Sequence, residues 1–179
     1  MSKIVAVVRI SMDGVLEEFT PFWDEEEDKF QRGQLFASRA LLLGRKTYDA
    51  MSKVWRAMTH EDDFAARMNS IPKYVASTTL SDAGWSSVVI KGDVAEQVAK
   101  LKREPGRDLL VYGSAALVNH LIEHGLLDEL KLLLRPVVVG AGRQLFPSGV
   151  AITTWALAGT TVFSSGAVVL DYRPVGFGG

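Results

Sequence analysis

Two stretches of the chain place small and hydroxyl-bearing residues where a β-like run gives way to a helical one: Leu43-Gly44-Arg45-Lys46-Thr47 and Tyr112-Gly113-Ser114-Ala115-Ala116. At such a junction the unpaired backbone N–H groups and the positive end of the helix dipole face whatever lies above the strand's carboxyl end, which makes a seat for phosphate. Gly lets the backbone approach closely, Ser and Thr add hydroxyl donors, and Arg45 with Lys46 supplies positive charge. A third strand end, Ser77-Thr78-Thr79, offers three hydroxyls for a further phosphate or a ribose. A single junction of this kind is most often an ordinary turn with a solvated basic pair. Two within one sheet point to a ligand carrying several phosphates.

The carboxylates divide less cleanly. Asp24 to Asp28 is an acidic run, and acids crowd a helix's first turn because the dipole favours them there. Asp28 lies one turn deeper, four residues after the Asp24 cap. It has two readings: a dipole-complementing charge, or an inward-facing proton donor or substrate anchor in a partly apolar cleft beside Trp23. His120-Leu121-Ile122-Glu123-His124 matches an inverted zinc-protease signature by letter. Leu117, Val118, Leu121 and Ile122 define that helix's buried face, however, so the motif reads as a solvated helix end, and no metal is expected. A catalytic zinc would need a third ligand from Asp128, Glu129 or Asp171. Gly140-Ala141-Gly142 has Leu145 where a dinucleotide fingerprint needs its third Gly, so it reads as a bend after a strand. Neither a Gly-x-Ser-x-Gly elbow nor a phosphate loop ending in Gly-Lys-Ser/Thr occurs.

Composition narrows the classes. Twenty Lys and Arg against 21 Asp and Glu leave a formal net charge of −1 over 179 residues, which argues against a polyanion partner. The absence of Cys removes disulfide frameworks, thiol catalysis and thiolate metal sites. The N-terminus moves directly into a short apolar run without a signal-like pattern, and no apolar stretch approaches the roughly 18 residues of a membrane span. A cytoplasmic domain is expected.

The elements that must position these residues alternate. Ile4 to Ile10 reads as a buried strand. A helix capped by Asp24 runs to Ser38, followed by a strand at Ala40 to Leu43 and a helix from Arg45 to about Met51. A weaker helix spans Asp62 to Met68, with strands at Lys73 to Ala76 and Ser87 to Ile90. Asp93 and Glu96 cap a helix to about Lys102. A strand at Leu109 to Tyr112 leads into a helix stopped by Gly125. A long β-like run then extends from Glu129 to Val139, broken by Pro136, and Thr153 to Arg173 alternates around a Ser164-Ser165-Gly166 turn. Parallel strands joined by helices, closed by an antiparallel ribbon, are expected.

In order and spacing these motifs resemble the dihydrofolate reductase-like superfamily, and within it the branch related to the C-terminal reductase domain of the riboflavin biosynthesis protein RibD. The resemblance runs from Lys3 to about Pro174. It rests on Ser11-x-Asp13-Gly14, Leu42-Leu43-Gly44-Arg45-Lys46-Thr47-Tyr48, Ser77-Thr78, Val111-Tyr112-Gly113-Ser114, Gly125-Leu126-Leu127-Asp128-Glu129-Leu130, Pro136 with Gly140-x-Gly142 and Leu145-Phe146, and a closing Gly166-to-Tyr172 strand. It implies one α/β domain over residues 1–175 with a tail at 176–179: three layers, a mixed and mostly parallel central sheet flanked by helices, and a C-terminal antiparallel hairpin.

The resemblance also implies NADPH across the carboxyl ends of the strands. Gly44, Arg45, Lys46 and Thr47 would serve its pyrophosphate and 2′-phosphate side, Ser77 and Thr78 the adenosine phosphate, and Gly113, Ser114, Ala115, Ala116 and Leu117 the diphosphate. Asp28 matches the acidic residue that follows a Pro-Trp pair in dihydrofolate reductases and would be catalytic. Trp23 would wall the substrate pocket, and Asp13 is the alternative polar anchor. Gly113-Ser114 stands where folate reductases carry Gly-Gly, which turns the expectation away from dihydrofolate. The expected activity is hydride transfer from NADPH to a small heterocyclic or sugar-like substrate, in the manner of 5-amino-6-(5-phosphoribosylamino)uracil reductase. The alternative is a non-catalytic nucleotide-binding or dimeric scaffold of the same fold. A homodimer, with no nucleic acid or membrane partner, completes the expectation.

Overall fold

The computed structural model describes residues 1–16, 24–58, 62–82 and 84–176. The run Ile4–Ile10 forms β1, nearly all of it buried because both faces of this strand are covered. Its odd and even positions serve different cores. Ile4, Ala6, Val8 and Ile10 pack with Leu42, Leu109, Val111 and a second set of helices, whereas Val5 and Val7 pack with Leu41, Leu43, Leu110 and a first set. This period of two is what a strand between two helical layers requires.

The first set comprises α1 (Glu25–Ala37), α2 (Arg45–Trp55) and α3 (Asp63–Ser70), which contribute Leu35, Tyr48 and Met68 to the core on one face. On the other face α4 (Val94–Arg103) and α5 (Ala115–Glu123) contribute Val98, Leu117, Val118 and Leu121. Between them lie β1, β2 (Ser38–Gly44), β3 (Lys73–Ala76), β4 (Ser87–Ile90), β5 (Asp108–Tyr112), β6 (Glu129–Leu134), β7 (Trp155–Val162) and β8 (Val168–Pro174). They form one eight-stranded sheet in the order β4-β3-β2-β5-β1-β6-β8-β7. The first six are parallel, and β8 and β7 complete the sheet antiparallel to β6 and to each other. The expected three-layer architecture with a closing antiparallel hairpin is the one observed.

Asp24 and Asp93 cap α1 and α4 as the sequence places them, and Asp62 and Ser114 cap α3 and α5. All four side chains accept hydrogen bonds from backbone N–H groups in the first turns of these helices. The main departure is β6, which ends at Leu134 rather than running on to Val139. Beyond it the Arg135 side chain turns in to a buried carboxylate, and the Val137 carbonyl accepts from the Met12 N–H at 2.8 Å instead of extending the sheet. Among the described residues no helix is long and apolar enough to cross a membrane.

One buried charge sits apart from the carboxyl edge. Lys73, at the start of β3, has no exposed surface. Its Nζ donates to the Ile71 carbonyl at 2.8 Å and stands 4.1 Å from the centre of the Trp85 ring. Burial, with the charge of Arg67 adding to it, pulls its pKa down from 10.5 to about 8. Between those two values the unfolded chain holds a proton that the native state has released, so this group makes stability rise with pH. Chemical denaturation between about pH 8 and pH 10 is expected to show that rise, and Lys73→Met, which removes the titrating group, to flatten it. A rise of equal size in the variant would contradict the assignment.

Candidate functional site

Because β3, β2 and β5 are neighbours and parallel, their carboxyl ends lie along one edge of the sheet. The loops leaving those ends are the three singled out from sequence. Arg45 bridges two of them, donating from its guanidinium to Thr79 Oγ1 at 3.2 Å and to the Asp49 carboxylate at 2.9 Å. Arg45, Ser77, Thr78 and Thr79 line one small concavity together with Gly92. The other two loops meet at Gly44: a Cβ added there would stand 2.2 Å from Ser114 Oγ and 3.1 Å from its Cβ, so any larger residue requires Ser114 to shift. Thr47 likewise faces Gly113.

The N-terminus of α2 differs from those of the other described helices. Gly44 provides no side-chain cap, and no acidic residue occupies the first turn. Its N–H groups therefore keep their capacity for an acceptor, and an anion suits both the donors and the dipole. Across the groove, Ser114 holds a left-handed conformation (φ 55°, ψ 80°) that costs a non-Gly residue strain. Its hydroxyl oxygen is 3.4 Å from the Leu117 N–H. Ala115 and Leu117 are buried in the core below the edge, so they offer backbone alone to this rim, while Lys46, Thr78 and Ala116 are exposed.

Next to this rim opens a cleft of about 730 Å³ between the sheet and helices α1 to α3. Met51, Val54 and Trp55 of α2, with Phe64 and Met68 of α3, form its apolar wall; the Trp55 and Phe64 rings meet at 5.2 Å. Opposite are Arg9, Asp28, Gln31 and Tyr112. Thr47, Gly113 and Ser114 line the cleft as well, so rim and cleft share a wall.

Asp28 is on this cleft, as its sequence position suggests, but as an exposed side chain. The buried acid is its neighbour Glu27, 2% exposed, which accepts a bidentate pair from the buried Arg135 (Nη2 to Oε1 at 2.8 Å, Nε to Oε2 at 3.2 Å) and a further contact from Arg9 Nε at 2.8 Å. Glu27, Gln31 and Leu35 follow one another at four-residue steps down the buried side of α1. Arg9 stands on the same face of β1 as Val5 and Val7, and Val7 is in register with Tyr112 of β5. Burial raises the Tyr112 phenol above its ordinary value, against the opposing charge of Arg9. The Tyr112 hydroxyl and Gln31 Oε1 are both buried with no hydrogen-bond partner among the described residues, and such groups call for a ligand or water to complete them.

Asp13, the alternative polar anchor, is engaged by the backbone of a neighbouring loop. Its carboxylate accepts from the Ser11 hydroxyl and from the backbone N–H groups of Gly140 (2.8 Å) and Val139 (3.1 Å). These bonds, that from Ser11 first, hold its pKa down at about 2. The group ties the loop after β6 to the loop after β1 and is not among the residues lining the cleft. Trp23 lies outside the described residues. The sequence reading did not single out Arg9, Glu27, Gln31, Trp55 or Phe64. A charged residue closing the otherwise apolar Ile4–Ile10 run was the one visible signal.

The fold and this edge define an α/β domain with a cleft at the carboxyl edge of a mostly parallel sheet, and comparison with known proteins narrows the class. Residues 2–169 match the RibD C-terminal domain model, and the chain belongs to that family. YyaP of Bacillus subtilis (strain 168) is 33% identical over 136 residues, 74% of this chain and 72% of that one. Among solved structures, Enterococcus faecalis dihydrofolate reductase complexed with NADP(H) shares the fold at a TM-score of 0.67 and 17% identity, over 96% of each chain. A pyrimidine reductase-like protein of Corynebacterium diphtheriae NCTC does so at 0.68 and 12%, over 97% of this chain and 92% of its own.

The Gly44–Ser114 approach is directly testable. Gly44→Ala is expected to destabilise by about 1–3 kcal/mol through overpacking, lowering the melting temperature by roughly 2–10 °C. Adding Ser114→Gly removes both the clash and the left-handed strain, so the double variant is expected to melt near the parent. Additive losses would contradict the contact.

Proposed function

We propose that the protein is an NADPH-dependent reductase acting on a small heterocyclic or sugar-like molecule. The observation that carries this reading is the shared wall. The residues fitted to hold phosphates and those lining a half-apolar cleft meet at Thr47, Gly113 and Ser114. A dinucleotide could thus reach from one into the other.

The uncapped start of α2 and the close passage at Gly44 fit a pyrophosphate. Arg45, with Ser77 and Thr78 in the adjoining concavity, fits the adenosine-side phosphate. When bound, NADPH supplies a hydride. The chain's own residues position and screen. Trp55, Phe64 and Met51 offer a flat apolar wall for a ring, and Arg9, Gln31 and Tyr112 offer polar groups that fix its orientation. Asp28, at the cleft with its carboxylate exposed, delivers the proton that accompanies hydride addition to a carbon–nitrogen or carbon–oxygen double bond. The edge strand β7, with Leu157 and Val162 exposed, supports the homodimer reading.

Arg45→Ala is expected to weaken NADPH by about tenfold or more, the weight of a charge-assisted hydrogen bond, with little effect on NADH; equal weakening of both would reassign the 2′-phosphate. For catalysis, a screen of NADPH oxidation over pterins, flavin precursors and small carbonyl compounds identifies a turnover assay. Asp28→Asn is then expected to lose about a hundredfold in kcat with NADPH affinity unchanged. Full turnover in that variant would move the proton donor elsewhere.

A further inference from the structure

The last turn of α5 gathers two imidazoles and a carboxylate on one side of the helix. At helical pitch His120, Glu123 and His124 fall within an arc of roughly 100°. Their donor atoms all lie within 4.8 Å of one another, and the two rings are 4.3 Å apart, centre to centre.

Two details go beyond proximity. His124 Nδ1 is 2.9 Å from the His120 carbonyl. A carbonyl only accepts, so Nδ1 carries the proton and Nε2 keeps its lone pair. Metal-ligating histidines are commonly held this way, with the other ring nitrogen donating to a backbone carbonyl. Second, His120 Nε2 is buried with no hydrogen-bond partner among the described residues, a polar atom that a further group would satisfy. The backbone beneath is fixed. Gly125 takes the left-handed conformation (φ 62°), and the N–H groups of Gly125 and Leu126 close onto the carbonyls of Ile122 and Leu121 at 3.0 and 2.9 Å.

We propose that this helix end is a binding site for a divalent transition metal, zinc foremost, with His120, Glu123 and His124 as protein ligands and water completing the shell. Imidazole with one carboxylate selects zinc, copper or nickel over magnesium and calcium, which require oxygen donors throughout. Zinc bonds of about 2.0–2.2 Å require the donors to draw together, which the exposed Glu123 side chain does by rotation. The site stands about 9–15 Å along α5 from Ser114, outside the cleft. It takes no part in hydride transfer; it staples the last turn of the helix whose first turn builds the rim. It is equally distinct from a zinc hydrolase, because Glu123 serves here as a ligand, not as a base.

The test needs neither cofactor nor substrate. Untagged full-length protein, stripped with chelator, is titrated calorimetrically with zinc chloride and melted with and without it. One saturable equivalent is expected, with a higher melting temperature. Affinity should fall in acid, because protons compete with the metal for the ligand lone pairs. Magnesium chloride should give no saturable heat. His120→Ala and His124→Ala are each expected to abolish the saturable phase while retaining the parental circular dichroism, and Glu123→Gln to weaken it. In the wild type, substoichiometric copper(II) should broaden the NMR ring signals of His120 and His124 ahead of those of His60, which requires no variant to fold. Absence of saturable zinc binding, zinc binding that survives in the His120→Ala/His124→Ala double variant, or first broadening at His60 would overturn the site.

Discussion

Parallel pairing of β3, β2 and β5 forces three strand ends onto one edge, and the approach of Gly44 to Ser114 decides how close the loops leaving them come. A bulkier residue at 44 would push the start of α2 away from the start of α5, and the groove between them would lose its narrowest point. Both loops bear a cost for this. Gly44 leaves α2 without a cap, and Ser114 holds a left-handed backbone. Costs of this kind that fall together at one edge are the usual mark of a site shaped for something other than stability.

The cleft beside that edge is held from below by charge. Glu27, with Arg135 on one side and Arg9 on the other, joins α1 to the end of β6 and the end of β1. Desolvating a carboxylate is offset here by two guanidinium groups, and removing both would strand the Glu27 charge in the interior. The network also aims Arg9, whose side chain remains 42% exposed, at the cleft it lines. Asp24, next to the network, shows the same economy. Burial pushes its carboxyl up, yet the Ser165 hydroxyl, two backbone N–H groups and the charge of Arg135 together hold it below the ordinary value. At the far side of the sheet's carboxyl edge, Asp13 fastens the loop after β6 in the same manner.

Much of this was legible in the residues. The apolar runs of β1, β2 and β5, the Gly-bearing exits of β2 and β5 and the Asp24 and Asp93 caps are local signals, and they placed the sheet, the helices and the three loops at its carboxyl edge. The cleft was not legible, for physical reasons. The buried side of α1 reads Glu27, Gln31, Leu35, with one apolar residue in three, so periodicity gives no phase and cannot tell Glu27 from Asp28 as the inward acid. Trp55 and Phe64 belong to different helices and meet only after packing. Asp13 looks like a free polar anchor until the chain brings Val139 and Gly140 back to it from more than a hundred residues away. The placement of β8 between β6 and β7 is likewise a product of long-range pairing.

The account stands on the edge holding a phosphorylated dinucleotide, and an equilibrium titration followed by the fluorescence of NADPH addresses that most directly. It predicts saturation at one NADPH per chain, with NADH binding more weakly because it lacks the 2′-phosphate that Arg45, Ser77 and Thr78 would meet. A flat titration at high micromolar protein, or equal affinity for the two, would contradict it.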